Sequence, residues 1–110
     1  MGYNLIITEN ADEQIDAAIH YLLNKFEDSE AASRLLDGIS AALNRLEANP
    51  YQFPKSSDVY LESKDYHEAL IRETNYKIVF RIDAETVYIV GFFHDLEDHS
   101  ARIAEWRLLD

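Results

Sequence analysis

Two histidines and three acids stand within six residues of one another in the stretch "HDLEDH", residues 94–99. Imidazole and carboxylate groups bind divalent metal ions, and a histidine can also act as a general acid or base. His94, Asp95, Asp98 and His99 carry suitable atoms, but their spacing matches no recognised metal motif. Neighbouring side chains at a strand end also point in opposite directions. The stretch is open to three interpretations, a metal site, a nuclease edge around His94 or a solvated strand end, and the spacing favours the last. We expect neither a metal nor a cofactor.

Three cations stand close together on the predicted sheet: Arg72, Lys77 and Arg81. Side chains alternate between the two faces of a strand, so Lys77 and Arg81 share one face of "NYKIVFRI", while its aromatic and aliphatic residues take the other. This face is suited to binding phosphate groups or a partner protein. The alternative is cross-strand pairing with the nearby acids Glu68, Glu73 and Asp83.

The balance of charge limits the partners that the protein can take. Ten Lys and Arg residues stand against 21 Asp and Glu residues, giving a formal net charge of −11. Binding to nucleic acid depends on cations that displace the counterions of the phosphates. The charge therefore disfavours direct nucleic-acid binding and favours basic protein partners.

Composition and length indicate an ordinary globular domain. The chain has 110 residues, of which 47% are hydrophobic and 28% are charged, and it has no cysteine. A disulfide framework and thiolate metal sites are therefore excluded. The N-terminus lacks a basic region followed by a long apolar core, and no apolar run reaches the roughly 18 residues of a membrane span. We expect a soluble, cytoplasmic protein that does not contact a membrane.

Two apolar stripes at spacings of three and four residues predict a pair of amphipathic helices. Their members are Ile15, Ala18, Ile19, Leu22 and Phe26, then Ala32, Leu35, Ile39, Leu43 and Leu46. Asn10 and Ser29 are the expected N-caps, and Asn49-Pro50 ends the second helix because the residue before proline avoids helical geometry. The short connection predicts an antiparallel helical hairpin.

Four β-strands are predicted around this hairpin, at residues 3–8, 66–72, 75–82 and 86–94. The segment between the second helix and the second strand is expected to be a loop. The last three strands are joined by short turns and form an antiparallel meander. The order β-α-α-β-β-β predicts an α+β fold in which the helical hairpin packs on an antiparallel sheet.

The domain organisation follows from this order. We expect a single domain over residues 1–98 and a C-terminal tail over residues 99–110. In that tail, Ile103, Trp106 and Leu109 recur three apart. This spacing indicates a short helix or a docking arm, which either covers the protein's own sheet or contacts another copy. A homo-oligomer is left open.

Two segments in this order resemble the RelE/ParE superfamily, the toxins of type II toxin–antitoxin modules. One is the helix end "LEANPYQFP", and the other is the strand pair "NYKIVFRIDAETVYIVGFFH". The resemblance covers roughly residues 3–98. It implies an α+β fold, a cognate antitoxin as partner, and either DNA gyrase or the ribosome as target.

The resemblance also bears on activity. Its endonuclease branch places an arginine a few residues before the central tyrosine, where this chain has Arg72, and cationic groups after the last strand. Leu96 and Glu97 stand where a Lys-Arg pair is expected. The resemblance therefore implies a ParE-like toxin that is not a nuclease and is neutralised by its antitoxin, and that either inhibits growth through DNA gyrase or has lost its activity. Arg72, Lys77 and Arg81 are the expected partner-binding residues.

The alternative that the resemblance leaves is a ribosome-dependent mRNA endoribonuclease of the RelE type. Such an enzyme needs a general base or acid and cations that stabilise the charge developing on the phosphate. Arg72, Arg81 and His94 are the candidate catalytic residues for that activity.

Overall fold

Four strands and two long helices make up most of the described chain. The structure is a computed structural model that describes residues 2–25 and 27–94. Its elements are β1 Asn4–Ile7, α1 Glu9–Asn24, α2 Ser29–Ala48, a 3-10 helix Pro50–Gln52, α3 Val59–Ser63, β2 His67–Leu70, β3 Tyr76–Asp83 and β4 Thr86–His94. The α+β prediction and the order of its main elements are confirmed. The segment predicted as a loop contains two short helices. They are too short for their apolar residues to show a helical periodicity in the sequence. The predicted tail lies outside the described residues.

Side-chain caps start both helices of the hairpin. Thr8 Oγ1 accepts a hydrogen bond from the Ala11 N–H at 3.3 Å, and Asp28 Oδ1 accepts one from the Ala31 N–H at 2.9 Å. The predicted caps were displaced by one or two residues, because several residues near each start can cap a helix. Phe26, predicted on the first apolar stripe, lies outside the described residues. None of the helices in residues 2–25 and 27–94 has the length and apolar character needed to cross a bilayer.

The sheet has the order β1-β4-β3-β2. β2 pairs with β3 and β3 pairs with β4 in antiparallel fashion, as predicted for the meander. β1, however, pairs with β4 in parallel, so the sheet is mixed and not wholly antiparallel. The helical hairpin follows β1 and separates it from the other strands, and a connection of this length permits parallel pairing.

A β-bulge interrupts β4. The register between β3 and β4 shifts by one residue at Val79/Phe80, which leaves Val90 without an opposite residue. An extra residue reverses the alternation of side chains beyond it. Ile89 before the bulge and Phe92 after it consequently belong to the same core cluster, although they are three positions apart and would face opposite sides of a regular strand.

The main core lies between the helical hairpin and one face of the sheet. Its large buried residues include Leu35, Ile39, Leu46, Ile78, Phe80 and Ile89. Leu43, predicted on the same stripe, packs against this core but is only half-buried. Gly38 allows α2 to approach the sheet closely, because a Cβ there would lie 2.5 Å from Ile71 Cγ2.

A second, smaller cluster covers the other face of the sheet. Its buried members are Leu61 of α3, Tyr66, Val79 and Phe93. β3 is therefore buried on both faces, which explains why three consecutive residues of this strand, Ile78–Phe80, have no exposed surface. The predicted division of β3 between two faces is confirmed, but neither face is left to solvent over the middle of the strand.

Candidate functional site

His94 lies at the end of β4, directly opposite Tyr76 in the register with β3. The two rings are 5.3 Å apart between centroids and 85° apart in orientation, an edge-to-face contact. The bulge in β4 places His94 on the same side of the sheet as Phe92, whose ring stacks on Tyr76 at 5.1 Å. His94 is thus a half-buried part of an aromatic cluster. Its neighbours in the "HDLEDH" stretch lie outside the described residues.

A groove runs beside this cluster between the helical hairpin and the end of the sheet. It consists of two cavities of about 510 and 390 Å³, which share Tyr21, Tyr76 and His94 in their walls. We call it the His94 groove. Gln14 fixes one side of the groove, because its Oε1 accepts a hydrogen bond at 3.0 Å from the Phe92 N–H. The Phe92 amide lies in the part of β4 that extends beyond the end of β1, and this hydrogen bond gives it a partner.

Arg72 does not lie on a strand. β2 ends at Leu70, and residues 71–75 form a turn in which the Ile71 N–H donates to the Tyr76 carbonyl at 2.9 Å. Arg72 is exposed in this turn. The sequence placed the end of this strand two residues too late, because the apolar Ile71 continues the pattern of β2 while its backbone already closes the turn.

A cavity of about 510 Å³ beside β2 brings Arg72 and Lys77 together with a third cation, Arg45 of α2. We call it the basic cavity. The Arg45 guanidinium lies 5.3 Å from the centroid of the Phe53 ring, which also lines the cavity. No local pattern marks Arg45 in the sequence, since it reaches the cavity only through the packing of α2 on the segment after Pro50.

Lys77 is held in place by an ion pair on the second face of the sheet. Its Nζ lies 3.5 Å from Glu68 Oε1. The Glu68 carboxylate also accepts hydrogen bonds from the hydroxyls of Ser56 at 3.1 Å and Ser57 at 3.2 Å. The cross-strand pairing considered for Lys77 is therefore present, and the cation still lines the basic cavity.

Arg81 is separate from the other two predicted cations. It shares the face of β3 that holds Lys77, as predicted, but lies four residues further along, about 13 Å at a rise of about 3.3 Å per residue. Its guanidinium stacks on the ring of Tyr88 at 4.2 Å. Arg81 does not line the basic cavity.

The candidate catalytic residues are likewise not assembled. His94 lies level with Tyr76 at one end of β3, and Arg81 is five residues away along that strand, about 17 Å. The two side chains also project from opposite faces of the sheet. Arg72 lies in the turn before Tyr76 and lines the basic cavity, whereas His94 lines the groove on the hairpin side.

The arrangement of histidine and acidic side chains bears on metal binding. Within residues 2–25 and 27–94, no three histidine, aspartate or glutamate side chains come together in an arrangement that could hold a metal ion. The acids and the second histidine of the "HDLEDH" stretch lie outside these ranges, so the absence of a metal there stays a prediction.

The family model described as "ParE toxin of type II toxin-antitoxin system, parDE" matches residues 5–99. The chain belongs to the ParE toxin family. This match confirms the resemblance to the RelE/ParE superfamily that the helix end and the strand pair indicated. No curated protein sequence matches the chain.

One solved structure has a similar fold, and a second matches less well. A chain of the "Chromosomal ParDE TA system from P. aeruginosa" is 17% identical, with a TM-score of 0.65, and the match covers 84% of this chain and 95% of that one. A chain of the toxin–antitoxin complex RelBE2 from Mycobacterium tuberculosis is 18% identical, with a TM-score of 0.49, and the match covers 86% of this chain and 99% of that one. At 17% identity, the Pseudomonas likeness concerns the fold.

Proposed function

We propose that this ParE-family chain is a cytoplasmic toxin that arrests growth through DNA gyrase, does not cleave RNA and is neutralised by a cognate antitoxin. Membership of a toxin family supports the growth arrest, and the Pseudomonas structure, described as a ParDE system, supports an antitoxin partner. The choice between a gyrase poison and a nuclease depends on the arrangement of the candidate residues.

The observation that carries the proposal is the separation of Arg72, Arg81 and His94. Cleavage by an RNA 2′-hydroxyl requires a base, an acid and cations around one phosphate, and losing one preorganised donor typically costs about 10²–10³ in rate. Arg81 and His94 lie on opposite faces of the sheet, and Arg81 stacks on Tyr88. The separation of Arg81 from His94 supports a toxin that does not cleave RNA.

The net charge of −11 supports the same choice. A nuclease that acts on the ribosome has to approach a dense array of phosphates. The negative charges of the protein and of the phosphates repel each other within a Debye length, roughly 8 Å at physiological salt. A protein target imposes no such requirement, because its surface charge can be complementary.

The basic cavity is the proposed contact for the antitoxin. Arg45 and Arg72 line it together with Phe53, Leu70 and the Lys77–Glu68 ion pair, so two arginines remain beyond that pair. Leu70 is 58% exposed, so an apolar surface adjoins the cations. Arginine beside apolar surface is typical of the residues that dominate protein interfaces. The antitoxin therefore needs a carboxylate next to an apolar side chain.

Two assays with the purified chain test the proposed activity. We expect inhibition of gyrase supercoiling, reversed by the antitoxin, and no cleavage of mRNA on programmed ribosomes. Cleavage that depends on His94 or Arg72, measured with His94→Ala and Arg72→Ala, would replace the proposal with the endoribonuclease. If the chain inhibits neither gyrase nor translation, the proposal that DNA gyrase is the target is wrong.

A further inference from the structure

The outer edge of β2 is covered by the protein's own chain over only part of its length. β2 is an edge strand, and the segment 54–56 runs antiparallel beside its first residues. The Ser56 N–H donates to the Tyr66 carbonyl at 2.8 Å, and the Glu68 N–H donates to the Pro54 carbonyl at 3.1 Å. This short ladder ends at Pro54, because proline has no N–H that could bond back to β2.

Leu70 lies beyond the end of this ladder, and its backbone groups point away from the sheet. In an antiparallel pair, alternate residues exchange hydrogen bonds with the partner strand. The Ile71 N–H donates to the Tyr76 carbonyl, so Ile71 bonds towards β3, whereas Leu70 and Glu68 point outward. In the part of the chain that the structure describes, the N–H and the carbonyl of Leu70 have no hydrogen-bond partner. An exposed edge of this kind can pair with another chain.

The basic cavity opens beside this uncovered part of the edge. Three cations and one carboxylate line the cavity, and Lys77 forms an ion pair with that carboxylate, which belongs to Glu68. No acidic side chain among the described residues pairs with the guanidinium of Arg45 or Arg72. Two positive charges therefore lie next to the unpaired backbone groups of Leu70.

The acids nearby do not cancel these two charges. Asp65 forms an ion pair with Lys55, and Glu73, which follows Arg72 in the sequence, lines the His94 groove instead. The net charge of the whole chain is −11, but Glu68 is the only acid in the lining of the basic cavity. Exposed charges beyond a Debye length, roughly 8 Å, are largely screened. The edge of β2 is therefore locally positive.

We propose that the antitoxin docks at this edge as an added β-strand. Its backbone pairs with the N–H and carbonyl of Leu70, and one of its carboxylates binds Arg45 and Arg72. In strand addition, main-chain hydrogen bonds supply affinity and alternate side chains supply specificity. The inference rests on the proposed function in taking the antitoxin as the partner, and it adds the backbone conformation in which the antitoxin binds.

Charge favours an acidic segment over a second copy of this chain. Pairing two β2 edges would bring Arg45 and Arg72 of both molecules to one seam, and like charges opposite each other destabilise a pair of strands. An acidic segment presents the opposite charge to the same arginines. The cations thus protect the edge from self-association and select the partner.

Hydrogen exchange of the full chain, alone and bound to the purified cognate antitoxin, tests the backbone pairing. The Leu70 amide should exchange rapidly in the free chain and about tenfold or more slowly in the complex, because a new hydrogen bond protects it. The Ala69 amide is the internal control. It bonds towards β3 and should be protected in both states.

Leu70→Pro removes the outward N–H and leaves the bonds between β2 and β3 in place, because an edge strand tolerates proline where the N–H faces solvent. This variant should weaken antitoxin binding by about tenfold or more, since a carbonyl of the added strand loses its donor. Leu70→Ala is the matched control, because it shortens the same side chain but keeps the N–H. It should bind the antitoxin more tightly than Leu70→Pro does. Circular dichroism checks that both variants are folded.

Both results are required. An antitoxin that binds while the Leu70 amide stays unprotected would overturn the inference alone, as would equal binding to Leu70→Pro and Leu70→Ala. A Leu70 amide that is already protected in the free chain would also overturn it, because the edge would then be occupied. If Leu70→Pro does not fold, exchange of the Leu70 amide in the unaltered chain decides. A chain that binds no antitoxin would refute the partner in the proposed function and this inference with it.

Discussion

Lys77 and Glu68 form an ion pair in which the two side chains are only 9% and 15% exposed. The pair lies on the second face of the sheet, next to the cluster that α3 closes. A contrasting pair, Lys55 and Asp65, has a shorter distance of 3.1 Å but side chains that are 54% and 82% exposed. Burial, and not the distance between the atoms, should decide which pair matters for stability.

Lys77→Met should lower the free energy of unfolding by about 3–5 kcal/mol, because it leaves the Glu68 carboxylate buried without its cation. The double variant Lys77→Met/Glu68→Gln removes both charges and should recover much of that loss. Lys55→Met is the matched control and should cost less than about 1 kcal/mol. Urea denaturation measures all three, and equal losses for the two lysine variants would contradict the role of burial.

Gln14→Ala should remove the acceptor for the Phe92 amide and destabilise the protein by about 1–3 kcal/mol, the usual cost of an unsatisfied buried donor. Gln14→Glu keeps an acceptor oxygen at the same reach and should cost less. Hydrogen exchange provides the specific readout, since the Phe92 amide should exchange faster in Gln14→Ala alone. Unchanged protection of that amide would show that the bond to α1 does not hold β4.

Leu46→Ala should cost about 2–5 kcal/mol, because Leu46 is fully buried in the main core and its truncation leaves a cavity. Leu36→Ala is the control on the same helix, as Leu36 is 48% exposed, and it should change stability by less than about 0.5 kcal/mol. Leu43→Ala should fall between them. Denaturant melts of the three variants check the assigned face of α2, and any other ranking would show that it is wrong.

Arg72→Ala should weaken antitoxin binding by about tenfold or more, or about 1.4 kcal/mol, if the basic cavity is an interface centre. Arg81→Ala should have a smaller effect, because Arg81 stacks on Tyr88 away from that cavity. Isothermal titration calorimetry with the cognate antitoxin separates the two variants. A larger loss for Arg81→Ala would move the proposed interface to the other end of β3.

Periodicity predicted most of the fold. The apolar stripes identified α1 and α2, and the alternation in "NYKIVFRI" assigned Lys77 and Val79 to one face and Ile78 and Phe80 to the other. These patterns are local, so one sequence contains them. The parallel direction of β1 could not be read in the same way, because it depends on how the hairpin crosses the sheet.

The candidate site was predictable only in part. Arg72 and Lys77 are close in sequence and do line one cavity. Arg45 was not identified because its position there results from tertiary packing. Arg81 lies outside this cavity because a shared strand face does not make residues neighbours along the strand, and its role in partner binding stays a prediction. The bulge at Val90, which directs His94 into the groove, was not predicted, although Gly91 beside it is a sequence signal, since a glycine inside a strand often marks a bulge.

The parallel pairing of β1 with β4 has a consequence for how the protein is made. Leu5 pairs with Val87 and Ile7 with Ile89, so the sheet joins the first of the described strands to the last. Contacts this distant along the chain close a long loop and slow folding. During synthesis, β1 emerges from the ribosome well before β4 and waits for it. A chain released before β4 is complete lacks the partner of its first strand, so the folded state becomes available only after β4 has been synthesised.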